Sequence, residues 1–67
     1  MKTEVVNLKT LEKRVYALPP RDAVIAAYAQ EHGDYNSWDY QKYESLVTVG
    51  FITVACGNWC AMKGDVL

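Results

Sequence analysis

The sequence predicts a compact α+β domain with a small, mostly antiparallel sheet, one main helix over about residues 20–32, and a short second helical turn. Two patterns carry this prediction. Short runs rich in β-branched and aromatic residues, typical of strands, occur near both ends of the chain. Between them, a proline pair opens an alanine-rich segment that ends at a glycine, and these are common limits of a helix. A chain of 67 residues is expected to form a single domain, residues 1–67.

The first strand is predicted in TEVVNL, residues 3–8, where two valines lie in a short apolar run. Residues 9–18 are ambiguous. Leucines and Val15 recur at helical spacing, with Thr10 as a candidate cap, whereas RVYAL is also typical of a strand that ends at the prolines. We favour the strand, although periodicity over so few residues does not decide between the two.

The main helix is predicted to begin at the proline pair. The residue before a proline is pushed out of the helical region, so Leu18 should be extended. Pro20 can occupy the first turn of a helix, where its missing N–H costs nothing. The segment RDAVIAAYAQEH follows, and Gly33 stands where a C-terminal glycine cap belongs. The small alanines would allow this helix to lie close to a sheet.

The C-terminal third is β-branched and aromatic, and we predict strands near residues 51–56 and 59–63, with a break at Gly50. Gly57 and Asn58 form either a tight hairpin turn, since glycine at the first position suits type II′, or a bulge in one long strand. Before this region, Ser37 is a candidate cap for a short helical piece, WDYQKYESL.

Three strings carry a resemblance: LPPRDAVIAAYAQ, then GDYNSWDY, then VACGNW. Together they resemble a group of small open reading frames of phages, prophages and plasmids, over roughly residues 18–59. Asn58 replaces the acid of the group's last motif, so no carboxylate role carries over there. Very small acidic proteins of mobile elements often bind and block a host protein. The resemblance therefore implies a protein that binds and inhibits a host protein in the host cytoplasm, with a CRISPR or other defence complex among the candidates.

Composition argues against several other classes of function. The net charge of −1 and the pI of about 5.6 do not favour nucleic-acid binding. No window approaches the ~18 apolar residues of a membrane span, and the N-terminal stretch lacks the apolar core of a signal peptide. A small secreted domain would be expected to contain more disulfide bonds than two cysteines can form, so the cysteine content favours a reducing cytosol. We therefore expect a cytoplasmic protein.

The sequence offers no convincing catalytic or metal-binding set. His32 is the only histidine, and its place at the predicted helix end favours a surface role over that of a catalytic base. Cys56 and Cys60 lack the Cys-x-x-Cys spacing of zinc knuckles, although a disulfide is conceivable if Gly57 and Asn58 form a turn. We expect no enzyme activity, no metal and no cofactor.

The stretch DYNSWDYQKYESL, residues 34–46, is the strongest candidate for function, and we call it the aromatic–acidic segment. It holds three acids against one lysine, a local net charge of −2. Trp38 is expected to turn inward, and the tyrosines to lie partly outward beside the acids. The predicted partner-binding residues are Asp34, Tyr35, Asp39, Tyr40, Tyr43 and Glu44.

Tyrosine dominates many interface hot spots, and acids steer a protein toward a basic surface on its partner. We therefore predict a non-enzymatic interaction module that binds and inhibits a host protein. The alternative is a small nucleic-acid-binding regulator that uses a basic strip at Lys9, Lys13, Arg14 and Arg21. A homodimer also stays open, because a small sheet has edges to cover.

Overall fold

The computed structural model describes residues 2–33 and 43–62. They form one helix on a five-stranded sheet in which all neighbouring strands are antiparallel, so the α+β prediction is confirmed. The elements are β1 Thr3–Asn7, β2 Lys13–Tyr16, α1 Pro20–Glu31, β3 Val47–Val49, β4 Thr53–Cys56 and β5 Trp59–Met62. The spatial order of the strands is β2-β1-β5-β4-β3, which places β2 and β3 at the two edges.

The ambiguous residues after β1 form a turn followed by a strand, as favoured from the sequence. Asn7 explains this outcome: its side-chain oxygen accepts hydrogen bonds from the backbone N–H groups of Lys9 and Thr10, at 2.9 and 3.1 Å. An Asn side chain that bonds the next N–H groups in this way stabilises a turn in competition with a helix. The N–H of Asn7 then donates to the carbonyl of Glu12, at 2.8 Å, and closes the β1–β2 hairpin.

The main helix begins at Pro20 and ends at Glu31, one residue before the predicted end. Pro19 is extended, with φ −59° and ψ 158°, and its carbonyl accepts the N–H of Ala23 at 2.8 Å. Gly33 follows the last turn with φ +81°, the left-handed conformation expected of a C-terminal glycine. The proline and glycine signals thus placed both ends of the helix.

The helix packs against the inner face of the sheet, chiefly on β1, β4 and β5. Its alanines let it lie close, as predicted, and burial extends further round the helix than a single stripe. The buried helix residues are Ala23, Val24, Ile25, Ala26, Ala27 and Ala29. From the sheet, the core includes Val5, Val54, Cys56, Trp59 and Ala61.

Gly57 and Asn58 form a tight turn between β4 and β5, so the bulge alternative is wrong. The register continues directly across the turn, with Cys56 opposite Trp59. Gly57 has a positive φ of +61°, whereas the φ of Asn58 is not positive. This combination matches the predicted type II′ turn. The strand β4 begins at Thr53, two residues later than predicted.

The strand β3 was not predicted as a separate element. Its residues Val47–Val49 lie between the predicted helical piece, which ends at Leu46, and the predicted break at Gly50. In the structure, the N–H of Gly50 donates to the carbonyl of Thr53 at 2.8 Å and closes the β3–β4 hairpin, with Phe51 and Ile52 in its turn. The predicted break at Gly50 therefore corresponds to the residue that closes this hairpin turn.

Only the last part of the predicted second helical turn is described. Tyr43 and Glu44 are helical, and the N–H of Leu46 donates to the carbonyl of Tyr43 at 3.0 Å. This turn leads directly into β3.

Candidate protein-interaction surface

The structure describes two of the six predicted partner-binding residues. Asp34, Tyr35, Asp39 and Tyr40 lie outside the described residues, as does Trp38, and their predicted roles stay predictions.

Tyr43 belongs to the core, so the prediction that it faces partly outward is wrong. Its side chain is 5% exposed and lies in the same cluster as the inner-face residues of the sheet. The ring meets Tyr28 edge to face, with 5.4 Å between the ring centroids. The alanine side chains of the helix are small, so a large aromatic side chain is needed to complete the core between helix and sheet. The sequence around Tyr43 does not show this requirement. Tyr43 therefore has almost no surface to offer a partner.

Glu44 is exposed, as predicted, but it is not an isolated acid. Its carboxylate lies 2.5 Å from the guanidinium of Arg21, in the first turn of the helix. Both side chains are largely solvated, and such pairs contribute about 0–1 kcal/mol to stability. The cation of Arg21 offsets the charge of Glu44, which reduces the pull of this acid on a basic partner.

A group of exposed apolar side chains follows Glu44 directly, and the sequence analysis missed it. Its members are Leu46, Val49, Phe51 and Ile52, and we call them the hairpin patch. Phe51 is the most exposed of them, at 87%. The sequence places Phe51 and Ile52 in a predicted strand near residues 51–56 and Leu46 in the predicted helical piece, and it assigns Val49 to no element. Gly50 was the one signal in the sequence that could have indicated a hairpin turn at residues 51–52.

The hairpin geometry explains the exposure. Phe51 and Ile52 occupy the turn between β3 and β4, beyond the last paired residues of both strands. Leu46 precedes β3, and Val49 lies near the end of this edge strand. Isolated exposed apolar residues are ordinary, but several of them on one hairpin indicate a candidate interaction site.

The basic strip does not form one surface. Lys13 and Arg14 are successive residues of β2, so their side chains point to opposite faces of the sheet. Arg14 lies on the helix side: its Nε is 2.6 Å from Oε2 of Glu12, and its guanidinium lies 4.6 Å from the ring centroid of Trp59. The hydrogen bond to Glu12 is the main reason that the pKa of Arg14 is raised.

The two cysteines are free and lie on opposite faces of the sheet. Because Cys56 pairs with Trp59 across the turn, Cys60 falls one residue out of step, opposite Ala55. Because the two thiols point to opposite faces, they cannot form the disulfide considered from the sequence, and they cannot bind one metal ion together. Burial raises the pKa of Cys56 to about 11, which keeps it a neutral thiol. Among residues 2–33 and 43–62, no group of three metal-binding side chains comes together.

His32 caps the end of the helix. Its ring stacks on Tyr28, with 4.2 Å between centroids, and its Nδ1 lies 3.0 Å from the carbonyl oxygen of Tyr28. A proton on Nδ1 can therefore donate to a carbonyl at the helix end. These contacts account for the residue in structural terms.

Comparisons of the chain with protein-family models, with curated proteins and with solved structures gave no match. The resemblance to the small open reading frames of mobile elements stays a prediction. In the described part of the chain, α1 is too short and too mixed in composition to cross a bilayer as a helix, and no other helix there could do so.

Proposed function

We propose that the protein is a small non-enzymatic interaction module that binds another protein through the hairpin patch and the adjoining aromatic–acidic segment. The observation that carries this proposal is Phe51, which is 87% exposed at the tip of a hairpin and flanked by exposed Ile52 and Val49. Burying a phenylalanine or isoleucine side chain releases about 1.5–3 kcal/mol. A partner protein that covers these exposed side chains would gain this free energy on binding.

The aromatic–acidic segment adds specificity to this surface. It ends at Leu46, the first residue of the hairpin patch, so the two features are continuous in the chain. Its tyrosines would supply contact area with a polar tip, and its net negative charge would favour a basic surface on the partner. A surface of that kind includes one that normally holds nucleic acid.

The identity of the partner rests on the resemblance to mobile-element proteins. It supports a host protein as the partner and inhibition as the result, with a CRISPR or other defence complex among the candidates. The protein would then act in the cytoplasm of the host cell.

No observation favours the nucleic-acid alternative. The basic strip is divided between the two faces of the sheet, and Arg14 and Arg21 are engaged by Glu12 and Glu44. Stacking on unpaired bases also needs a cationic groove, and the cations of this strip do not line up to form one.

The test is affinity capture from host lysate with the tagged full chain, at two salt concentrations and after nuclease treatment. Phe51→Ser removes the apolar side chain at a turn position that serine tolerates, and it should abolish capture. Leu8→Ser is the matched control, since Leu8 is also an exposed apolar residue but lies at the other end of the sheet. Tyr40→Ala and Asp39→Lys test the aromatic–acidic segment in the same way.

A stoichiometric protein that survives nuclease, is lost with Phe51→Ser and is kept with Leu8→Ser would support the proposal. Recovery of nucleic acid alone, lost at high salt, would overturn it. Equal capture by wild type, Phe51→Ser and Tyr40→Ala would also show that the site is wrong.

A further inference from the structure

The edge strand β3 has backbone groups that bond no described strand. The N–H of Gly50 donates to the carbonyl of Thr53, so the backbone of Gly50 faces β4. In an antiparallel pair, residues that bond the neighbouring strand alternate with residues that do not, so Thr48 also bonds β4. The N–H and C=O groups of Val47 and Val49 therefore point away from β4, on the side where the described sheet ends.

The two edges of the sheet differ in charge. The edge strand β2 begins with Lys13 and Arg14, and lysine on an edge strand discourages pairing with another strand. In contrast, β3 reads Val-Thr-Val, with no charge and no proline. Val49 also belongs to the hairpin patch, so the uncharged edge and the patch form one continuous surface.

We propose that the partner protein binds through an extended segment, which adds to the sheet as a further strand beside β3. The inference rests on the proposed function and deepens it, because it names the form of partner segment that this surface receives. The N–H and C=O groups of an extended segment can bond the outward groups of Val47 and Val49. Such backbone bonds supply affinity, and the neighbouring side chains supply specificity.

The side chains beside this edge define what the partner segment should contain. Val47 and Val49 face the helix side of the sheet, because they pair with Cys56 and Val54 of the core. Residues two positions apart in the added segment would turn to the same side. Apolar residues at these positions would extend the core outward and cover Val49, which is 53% exposed.

The length and charge of the surface also favour a segment of another protein. A segment that continues past the end of β3 reaches the hairpin tip, because Phe51 lies two residues beyond Val49. The strand β3 of a second copy offers three residues, far fewer than the roughly 20–30 residues a side of a stable interface. Residues 34–46, which lead into β3, carry a net charge of −2, and this charge favours a basic segment over an acidic one.

The test uses a displayed library of random, unstructured peptides, selected on the immobilised full chain. Selected peptides should share apolar residues two positions apart and carry a net positive charge. Residue-resolved amide exchange with one such peptide then tests the backbone bonds. Bound peptide should slow exchange at the amides of Val47 and Val49 by about tenfold or more. The amide of Thr48 already bonds β4, so it should exchange slowly in both states.

Proline substitution tests the same bonds. Val49→Pro removes an N–H that bonds no described residue, and an edge strand tolerates proline where this N–H faces outward. It should fold, yet bind the peptide about tenfold or more weakly, because a peptide carbonyl loses its donor. Val15→Pro is the matched control and should bind like wild type. The bond from Asn7 to Glu12 shows, by the same alternation, that the backbone of Val15 also points outward, at the β2 edge.

Amides of Val47 and Val49 that stay fast in the peptide-bound wild type would overturn the inference, and this measurement does not depend on the folding of a variant. Equal peptide binding by wild type and a folded Val49→Pro would also overturn it, as would selected peptides without alternating apolar residues. Slow exchange that appears without peptide, as the concentration of the chain rises, would assign the edge to a second copy instead.

The capture experiment keeps the proposed function separate from this inference. Phe51-dependent capture that Val49→Pro retains in full would refute the added strand alone. A chain that binds peptides at β3 but captures no host protein would refute the host partner alone.

Discussion

The turn between β4 and β5 depends on Gly57, and Gly57→Ala is the most informative single substitution in the described residues. Gly57 has φ +61°, and a Cβ atom at this position would lie 2.5 and 2.7 Å from two ring carbons of Tyr28. Alanine would therefore meet two separate obstacles, an unfavourable backbone conformation and a clash with an aromatic ring.

The cost of each obstacle can be worked out. A positive φ costs an L-residue about 1–2 kcal/mol. To relieve the clash, the Tyr28 ring must leave its edge-to-face contact with Tyr43 or its stack on His32, and each aromatic contact is worth about 0.5–1.5 kcal/mol. We expect Gly57→Ala to lower the free energy of unfolding by about 1.5–3.5 kcal/mol, a large part of the stability of a small domain.

Gly33→Ala isolates the backbone cost. Gly33 also has a positive φ, +81°, but a Cβ there meets nothing within 4 Å. It should cost about 1–2 kcal/mol. The assay is urea unfolding followed by tryptophan fluorescence, at a concentration where the chain is monomeric.

A double-mutant cycle with Tyr28→Ala completes the test. Once the ring is gone, only the backbone cost of Gly57→Ala is left, which gives a coupling energy of about 0.5–1.5 kcal/mol between positions 28 and 57. If Gly57→Ala costs the same with and without the ring, the clash is not the cause and the reasoning fails.

Three further outcomes are expected. Because burial raises the pKa of Cys56 from 9.0 to about 11, the folded state favours the neutral thiol, and the free energy of unfolding should fall as pH rises between these values. Cys56 contributes at most about 1.4 kcal/mol per pH unit to this slope, and in urea titrations the slope should be shallower for Cys56→Ala by that contribution; equal slopes in both proteins would contradict the burial argument. Tyr43→Ala should cost about 3–5 kcal/mol in thermal unfolding, as for other buried aromatics, whereas a change within ~0.5 kcal/mol would mean that Tyr43 is a surface residue. Arg14→Glu should cost about 1 kcal/mol or more, because it uncovers Trp59, while Lys13→Glu on the opposite face should be nearly neutral; equal effects would argue against the division of the basic strip.

The candidate site was harder to predict than the fold. The local sequence identified Glu44 as exposed, but it gave no sign that Arg21 is its partner, since the two are 23 residues apart. Tyr43 was misplaced because its burial depends on the space beneath an alanine-rich helix. The hairpin patch was missed because apolar strand residues look the same in a sequence whether the sheet covers them or leaves them at an edge.

The sequence by itself determined the elements that short-range backbone restrictions control. The proline pair and Gly33 set the limits of the helix, and Gly57 set the tight turn, since proline restricts φ and glycine permits a positive φ without reference to the rest of the chain. The tertiary structure decided which strands lie at the edges, which face each side chain takes and which apolar groups stay exposed. These depend on strand order and register, which arise from contacts between residues far apart in the chain, and no local pattern specifies them.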